Sequence, residues 1–357
     1  MQNAITFGKF RLKGGVRFDG TTTNFTTHHV DSLNLDAQGN PTITPFNQSG
    51  SYFNVLPTVQ LQYQLEKNTN LRLNYGRGLS RPNIGDLVPT QIVDPNFSPK
   101  QVVIGNSTLK PTKANNYDVL VEHFFQPLGI LQAGFFYKQL SDPIYPTVRL
   151  IGPSNPNFPN LGGYRLLQSV NGPNAHITGF EAAWEQRFSF LPSLLNGFGV
   201  AANYSYTTSQ VNFPANFSPA SAGGEGRIDH PALPRQAPNN WNFGLTYDKA
   251  RFSMRFAISH NDANIFAYNY GHTDAATDKD PILGIHGPSG DVYFYAHTQF
   301  DVQGIYRIYK GLSFFAYGLN LSNEVFGFYQ GSKIYPNQRE YYHPTAAFGL
   351  RWTSSSE

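Results

Sequence analysis

The chain has 357 residues, a formal net charge of +3, 14% charged residues and 15% aromatic residues. Because charged residues make up roughly 25% of typical soluble domains, this composition argues against an ordinary water-exposed surface. The weak net charge, without a run of like charges, excludes nucleic acid as an electrostatic partner. The chain has no cysteine, which excludes disulfides, thiolate metal sites and a cysteine nucleophile.

Apolar runs are too short for membrane helices. The longest, such as 133–137, contain a handful of residues, whereas a membrane helix needs roughly 18. A two-residue alternation of apolar and polar side chains dominates instead, and this period predicts β-strands. In 197–211, for example, Phe198, Val200 and Ala202 alternate with Gly199, Ala201 and Asn203.

Twelve segments carry this alternation. We predict strands near residues 8–25, 52–65, 70–80, 116–126, 130–140, 175–190, 197–211, 239–248, 250–262, 293–309, 312–326 and 341–352.

The connections between these strands alternate in length. Short turns are predicted at 67–69, 126–129, 248–249 and 310–311, and long polar segments at 81–115, 141–174, 212–238 and 263–292. Outer-membrane barrels have short periplasmic turns and long extracellular loops. The sequence therefore predicts an all-β, antiparallel, up-and-down transmembrane β-barrel whose last strand runs toward the periplasm.

A soluble β-sandwich or propeller also consists of alternating strands. Its water-exposed faces normally carry many Lys and Glu, whereas the polar faces here are mainly Gly, Ser, Asn, Gln and Thr. Aromatic residues near strand ends match the girdles of membrane barrels; these are Tyr63, Tyr137, Trp241, Tyr247 and Trp352. Both features favour the barrel.

Three regions of the sequence resemble the TonB-dependent receptor family. The segment 78–87 contains Arg81, Pro82 and Leu87 and resembles the passage from a barrel strand into a loop. The segment 105–118 is similar to the family pattern G-N-x-x-L-x-P, which is carried here by Gly105, Asn106, Leu109 and Pro111. Residues 318–329, with Asn320 and Leu321, resemble the penultimate strand, and 343–352, ending at Trp352, resemble the terminal strand. We predict structural roles for these motif residues and no ligand contact.

The resemblance implies which part of a barrel this is. Transporters of this kind have about 22 strands, so about twelve strands ending at the terminal one correspond to the C-terminal half, open or incompletely closed. Residues 1–357 are then all barrel. The plug domain and the TonB-contacting motif lie N-terminal to the barrel in this family, and nothing here resembles either, which indicates a fragment.

The resemblance also implies a function and partners. The parent protein would be a bacterial outer-membrane importer of a siderophore, a glycan or a similar scarce nutrient. Its partners would be outer-membrane lipid, the barrel-assembly machinery and, through the missing N-terminal region, the TonB complex. Family barrels usually end at an aromatic residue that the assembly machinery reads, and here residues 353–357 follow Trp352. An independent pore or surface adhesin of about twelve strands is the alternative.

Histidines and acids gather in three loop segments, but none has the spacing of a catalytic or zinc site. They are His28, His29 and Asp31; Glu225, Asp229 and His230; and His272, Asp274, Asp278 and Asp280. We therefore predict no enzyme activity, metal site or cofactor. Loop aromatics could stack on a ligand or pack the loops together, and both interpretations stay open for Phe158, Tyr164, Tyr268, Tyr270 and Tyr335.

Overall fold

The computed structural model describes residues 2–96, 100–212, 230–268 and 290–353. Regular structure in these residues is almost entirely β, with a four-residue helix α1 (Ile84–Leu87) and a 3-10 turn at Ser193–Gly197. None of the helices found there is long and apolar enough to cross a membrane.

The strands are, in chain order, β1 (Gln2–Phe7), β2 (Phe10–Leu35), β3 (Pro41–Glu66), β4 (Thr69–Ser80), β5 (Gln91–Asp94), β6 (Gln101–Ile104), β7 (Thr112–Phe125), β8 (Gly129–Ser141), β9 (Ile144–Leu150), β10 (Arg165–Asn171), β11 (Asn174–Arg187), β12 (Phe198–Val211), β13 (Asn239–Lys249), β14 (Phe252–Asn261), β15 (Asn264–Ala267), β16 (Val292–Phe294), β17 (His297–Tyr309), β18 (Leu312–Leu319), β19 (Val325–Gln330), β20 (Pro336–Tyr341) and β21 (Thr345–Trp352).

Antiparallel pairing joins most of these strands into one wall. The order is β1-β2-β3-β4-β7-β8-β11-β12-β13-β14-β17-β18-β21. These are thirteen strands, because four of the 17 strands in the hydrogen-bonded sheet, β5, β6, β9 and β10, lie in loops. Within the described residues, β1 pairs only with β2 and β21 only with β18. The wall is therefore an open sheet, as predicted.

The register sorts the side chains of the wall onto two faces. Leu73 lies opposite Leu61 and Val119, and the next residue, Asn74, lies opposite Gln60 and Asp118. The apolar face is exposed: the side chains of Phe135 and Phe348, for example, are 66% and 79% accessible. Such exposure in water forgoes roughly 25 cal/mol for each Å² of apolar surface, so the sequence is adapted to a non-aqueous surrounding on this face.

The twelve predicted strands all appear in the wall, with differences at their ends. β1 was missed, and β2 and β3 extend about ten residues beyond the predicted ends, since their outer halves pair through the backbone without apolar alternation. The segment predicted at 293–309 divides into β16 and β17. β18 stops at Leu319 instead of 326, because Asn320 and Asn323 have positive φ values of 53° and 48°.

Connections of two kinds separate the two ends of the wall. At one end, which we call the turn end, connections are short: 8–9, 67–68, 126–128, 250–251 and 310–311, with the longer 188–197 as the exception. At the other, the loop end, long segments follow β4, β8, β12, β14 and β18. The last strand, β21, runs toward the turn end, as predicted.

Two small sheets form at the loop end. In the first, which we call the loop sheet, β5 pairs with β6 and β9 with β10, and β6 and β10 run parallel. Its core also includes side chains from the loop between β9 and β10. The core residues are Val93, Val102, Ile151, Leu161, Tyr164 and Leu166. The second, the outer sheet, has the order β15-β16-β19-β20.

Candidate functional site

The chain leaves the wall after β4 at a charged anchor. The Arg81 Nη2 atom donates to both carboxylate oxygens of Asp19 on β2, at 2.7 and 2.8 Å. The Asp19 side chain is only 13% accessible, and hydrogen bonds between ionised partners are stronger than neutral ones. Pro82 follows, buried and without an N–H to continue the ladder. The anchor fixes the point where the loop begins.

α1 comes directly after this anchor and is held down by its last residue. Leu87 is buried, with 6% of its surface accessible. The Val88 N–H donates to the Ile84 carbonyl at 3.1 Å and closes the single helical turn. The turn carries Asp86 toward the loop sheet.

The segment from Gly105 to Pro111 crosses the end of α1 at very short range. A β-carbon on Gly105 would overlap the Val88 carbonyl, so only glycine fits. Asn106 then links three stretches of chain: its N–H donates to the Asp86 carbonyl at 2.6 Å, and its Nδ2 donates to the Ser169 carbonyl at 3.1 Å. Its Oδ1 accepts from the backbone of Thr108 at 3.1 Å.

The end of this segment enters β7 through buried side chains. Leu109 is 4% accessible and Pro111 is fully buried. The Lys110 N–H donates to Asn171 Oδ1 at 2.8 Å, and Asn171 Nδ2 donates back to the Lys110 carbonyl at 2.9 Å. The four motif residues therefore lie in one hydrogen-bonded crossing between α1 and β10.

A pocket of about 340 Å³ opens beside this crossing, and we call it the loop pocket. It is lined by Gly85, Asp86, Val103, Ile104, Gly105, Pro146, Thr147, Leu167, Gln168, Ser169 and Tyr268.

Strand alternation explains why apolar side chains line the loop pocket. Val102 and Leu166 face the core of the loop sheet, with 0% and 1% of their surfaces accessible. Their neighbours Val103 and Leu167, paired in register, therefore point to the opposite face and line the pocket. Tyr268 also belongs to the lining, and its hydroxyl donates to the Ala232 carbonyl at 2.7 Å.

The polar end of the loop pocket is a carboxylate. Asp86 Oδ1 accepts a hydrogen bond from the Ser169 hydroxyl at 2.9 Å, and Oδ2 accepts from Asn83 Nδ2 at 3.2 Å. Asp86 and Ser169 are 83 positions apart in sequence. Sequence reasoning missed this pair, because no local spacing links two residues that follow different strands of the wall.

The loop aromatics fall into different places. Tyr164 and Phe158 belong to the core of the loop sheet, so they pack the loop. Tyr268 lines the loop pocket, and Tyr335 is half-buried beyond β19. Tyr270 lies outside the described residues.

Among the described residues, the loop histidines and acids form no recognisable metal or catalytic site. His28 and His230 are exposed. The side chains of His29 and Asp31, and all of Glu225, Asp229, His272, Asp274, Asp278 and Asp280, lie outside the described residues. Elsewhere in the described chain, no group of three or more His, Cys, Asp or Glu residues is arranged to hold a metal ion.

The remaining motif residues lie at the two ends of the last strands. The Asn320 N–H donates to Asp301 Oδ1 at 2.8 Å, and the Leu321 N–H donates to the Phe300 carbonyl at 2.9 Å. Both bonds stop β18 and turn the chain into its last loop. Trp352, 71% accessible, is at the turn end opposite Leu312.

The polar face of the wall carries paired charges. The Arg72 Nε atom donates to Glu122 Oε2 at 2.7 Å, and the Glu122 side chain is 11% accessible. A shallow recess of about 450 Å³ lies on the same face, between Lys13, Asp118 and Lys138.

An exposed apolar face, a polar opposite face, and mainly short connections at one end with mainly long ones at the other define the wall of a transmembrane β-barrel. A family model described as "TonB dependent receptor-like, beta-barrel" matches residues 1–321. The chain therefore belongs to this family of outer-membrane receptors and transporters.

Solved structures share the fold at low sequence identity. The copper transporter OprC has a TM-score of 0.60 and 17% identity, over 96% of this chain and 45% of that one. The ferric-catecholate import receptor Fiu of E. coli K12 has a TM-score of 0.60 and 16% identity, over 96% of this chain and 42% of that one. At these identities the likeness shows the fold alone.

A curated relative is the hemoglobin and hemoglobin-haptoglobin-binding protein A of Haemophilus influenzae. It is 25% identical over 218 residues, which is 57% of this chain and 18% of the relative. The chain thus spans less than half the length of each of these proteins.

Proposed function

We propose that the chain is the C-terminal barrel portion of a TonB-dependent importer in a bacterial outer membrane. The observation that carries this proposal is the wall, which has an exposed apolar face, a polar opposite face and a ligand-sized pocket at its loop end. A plug domain and a TonB-contacting motif would be supplied by sequence N-terminal to the strands described above. The chain itself would not be an enzyme.

The cargo would be a scarce nutrient that a loop-end receptor captures, such as a siderophore or a glycan. The family members with similar structures are, by their descriptions, a copper transporter and a ferric-catecholate receptor, and the curated relative binds hemoglobin. This range supports import of a scarce nutrient without selecting one. Outer-membrane lipid and the barrel-assembly machinery would be the structural partners.

We also propose that the ten motif residues act structurally. Arg81, Pro82 and Leu87 would fix the exit from β4, and the segment 105–111 would fix the entry to β7. Asn320 and Leu321 would end β18, and Trp352 would mark the terminal strand for assembly. Arg81→Gln should therefore lower the amount of folded barrel in the membrane while leaving the ligand affinity of the folded fraction unchanged.

Uptake in cells tests the importer. Cells with and without the gene are compared for uptake of a ferric siderophore, heme, copper and a neutral oligosaccharide, each in the presence and absence of a functional TonB gene. We expect saturable uptake of one of these nutrients that requires both genes. Uptake that survives loss of TonB would instead indicate a passive pore, an alternative that the open wall does not favour.

A further inference from the structure

The charge of the loop pocket restricts what it can hold. Asp86 is the only charged residue among the described residues that line it, and no Lys, Arg or His is present there. An anionic group would meet the Asp86 carboxylate without a compensating cation, which is costly in a partly desolvated site. The pocket therefore disfavours carboxylate, phosphate or sulfate groups.

The Asp86 carboxylate has room for further hydrogen bonds. A carboxylate offers about four acceptor positions, and within the described residues Ser169 and Asn83 occupy two of them. The remaining positions suit a ligand that presents two adjacent O–H donors. A vicinal diol has this geometry.

Much of the remaining lining of the pocket is apolar. Val103, Leu167 and Pro146 present aliphatic surface, and Tyr268 presents an aromatic ring. A quaternary amine would also suit Asp86, but sites for such cations enclose them with several aromatic faces, and Tyr268 is the one aromatic residue among the described residues of the lining. A sugar ring has hydroxyl donors at its edge and an apolar C–H face, and it matches both the carboxylate and the apolar part of the lining.

We propose that the loop pocket binds one or two uncharged sugar rings of a glycan ligand, with Asp86 accepting from a vicinal diol and Leu167 and Tyr268 contacting the C–H face. The volume of about 340 Å³ is at the lower end of the roughly 300–1,000 Å³ typical of ligand pockets, so the site takes the end of a glycan. The inference rests on the proposed function, because it names the ligand class of that receptor.

Binding to outer-membrane vesicles from cells producing the protein tests the site. The probes are a set of neutral oligosaccharides with gluco, galacto and N-acetylglucosamine termini, a matched set ending in sialic or uronic acid, and choline. The wild-type protein should bind at least one neutral oligosaccharide and neither the acidic set nor choline. Failure of every neutral probe, or preference for an acidic probe or for choline, overturns the proposal.

Paired variants assign the binding to this pocket. Asp86→Ala should weaken binding by roughly tenfold or more, the loss expected for one or two hydrogen bonds to a charged group. Leu167→Trp, which fills the pocket, should do the same. Asp36→Ala at the tip of the β2–β3 hairpin and Ile84→Trp on the exposed side of α1 are the controls, and both should bind as the wild type does.

Two further measurements keep the result clear. Asp86→Asn retains an acceptor for Ser169, so it should fold as the wild type does, judged by heat-modifiable migration, and still bind more weakly. Undiminished binding by folded Asp86→Asn and Leu167→Trp contradicts the sugar site. TonB-dependent uptake is scored separately, so an importer with a different ligand site, and a sugar-binding barrel that imports nothing, give different results.

Discussion

The wall and the loop sheet are both built from β-strands, but the wall exposes large apolar side chains and the loop sheet buries them. In the wall, large apolar side chains such as Phe135 and Leu350 are each 66% accessible. In the loop sheet, Val102 and Leu166 are almost fully buried, and their neighbours Val103 and Leu167 line the loop pocket on the other face. A strand pattern alone thus does not reveal which solvent surrounds it.

This difference in exposure distinguishes the part of the molecule that is adapted to water from the part that is adapted to hydrocarbon. The loop sheet follows the rule of soluble proteins, in which apolar side chains leave water for a common core. The wall reverses this rule because hydrocarbon, not water, contacts its apolar face. Substitutions that exchange the two environments should therefore affect one region and spare the other.

The largest effect is expected in the core of the loop sheet. Leu166→Ala should destabilise that sheet by about 2–5 kcal/mol, because the shorter side chain leaves a cavity in the core of the sheet. Hydrogen exchange should rise in residues 144–171, while the heat-modifiable migration of the barrel stays unchanged. Ile84→Ala, at an exposed position on α1, is the control. Unfolding of the whole barrel by Leu166→Ala would contradict the independence of the two regions.

A charge on the apolar face of the wall should have the next largest effect. Phe135→Arg should reduce stability in lipid vesicles by about 2–4 kcal/mol, the cost of a cation near the bilayer centre. Gln132→Arg, on the polar face of the same strand β8, should cost little. Denaturant unfolding in vesicles of defined lipid measures both. Equal losses for the two variants would show that the faces do not differ in their surroundings.

The ion pair between Arg72 and Glu122 tests the surroundings of the polar face of the wall. Glu122→Gln removes the negative charge that pairs with Arg72, at a site where the acid is 11% accessible. The expected loss is about 1.5–3 kcal/mol, typical of a hydrogen bond to a charged group. Glu66→Gln, at the exposed end of β3, serves as the matched control in the same unfolding assay. A loss no larger than the control's would mean that water fully screens this face.

The smallest effect concerns the tip of the β2–β3 hairpin. The Asn40 N–H donates to Asp36 Oδ1 at 2.8 Å, and this bond, with help from Gln38, holds the pKa of Asp36 below its ordinary value of 3.8. A depressed pKa stabilises the tip above pH 3.8, and the contribution is lost as the pH falls through the lower, folded-state value. Exchange of the Asn40 amide should therefore quicken only in this acidic range, and Asp36→Asn should remove the pH dependence.

Much of the wall was predictable because each of its strands repeats one signal. In segments such as 239–248, each face of the strand has the same surroundings along its whole length. The resulting alternation can therefore be recognised without knowing which strands are its neighbours. The outer halves of β2 and β3 were missed because Thr, Ser and Asn on both faces leave no alternation. The break after Leu319 depends on the conformation of Asn320, which periodicity does not report.

The loop pocket was less accessible to sequence reasoning. Gly105 and Asn106 stood out as part of a recognisable segment, and the structure places them in a crowded crossing. Asp86 and Ser169 did not stand out, since they meet only after β4 and β10 have been brought together through the rest of the sheet. Of the aromatic candidates, Tyr164 lies in a core and Tyr268 in the pocket lining, a difference set by tertiary contacts alone.

The most direct test of the central claim measures which solvent contacts each face of the wall. The chain has no cysteine, so single cysteines at positions 256, 257, 258 and 259 of β14 can each carry one spin label without background. In outer-membrane lipid, labels at Phe256 and Ile258 should collide mainly with dissolved oxygen, and those at Ala257 and Ser259 mainly with a water-soluble nickel complex. Equal access of the nickel complex at all four positions would contradict a membrane wall.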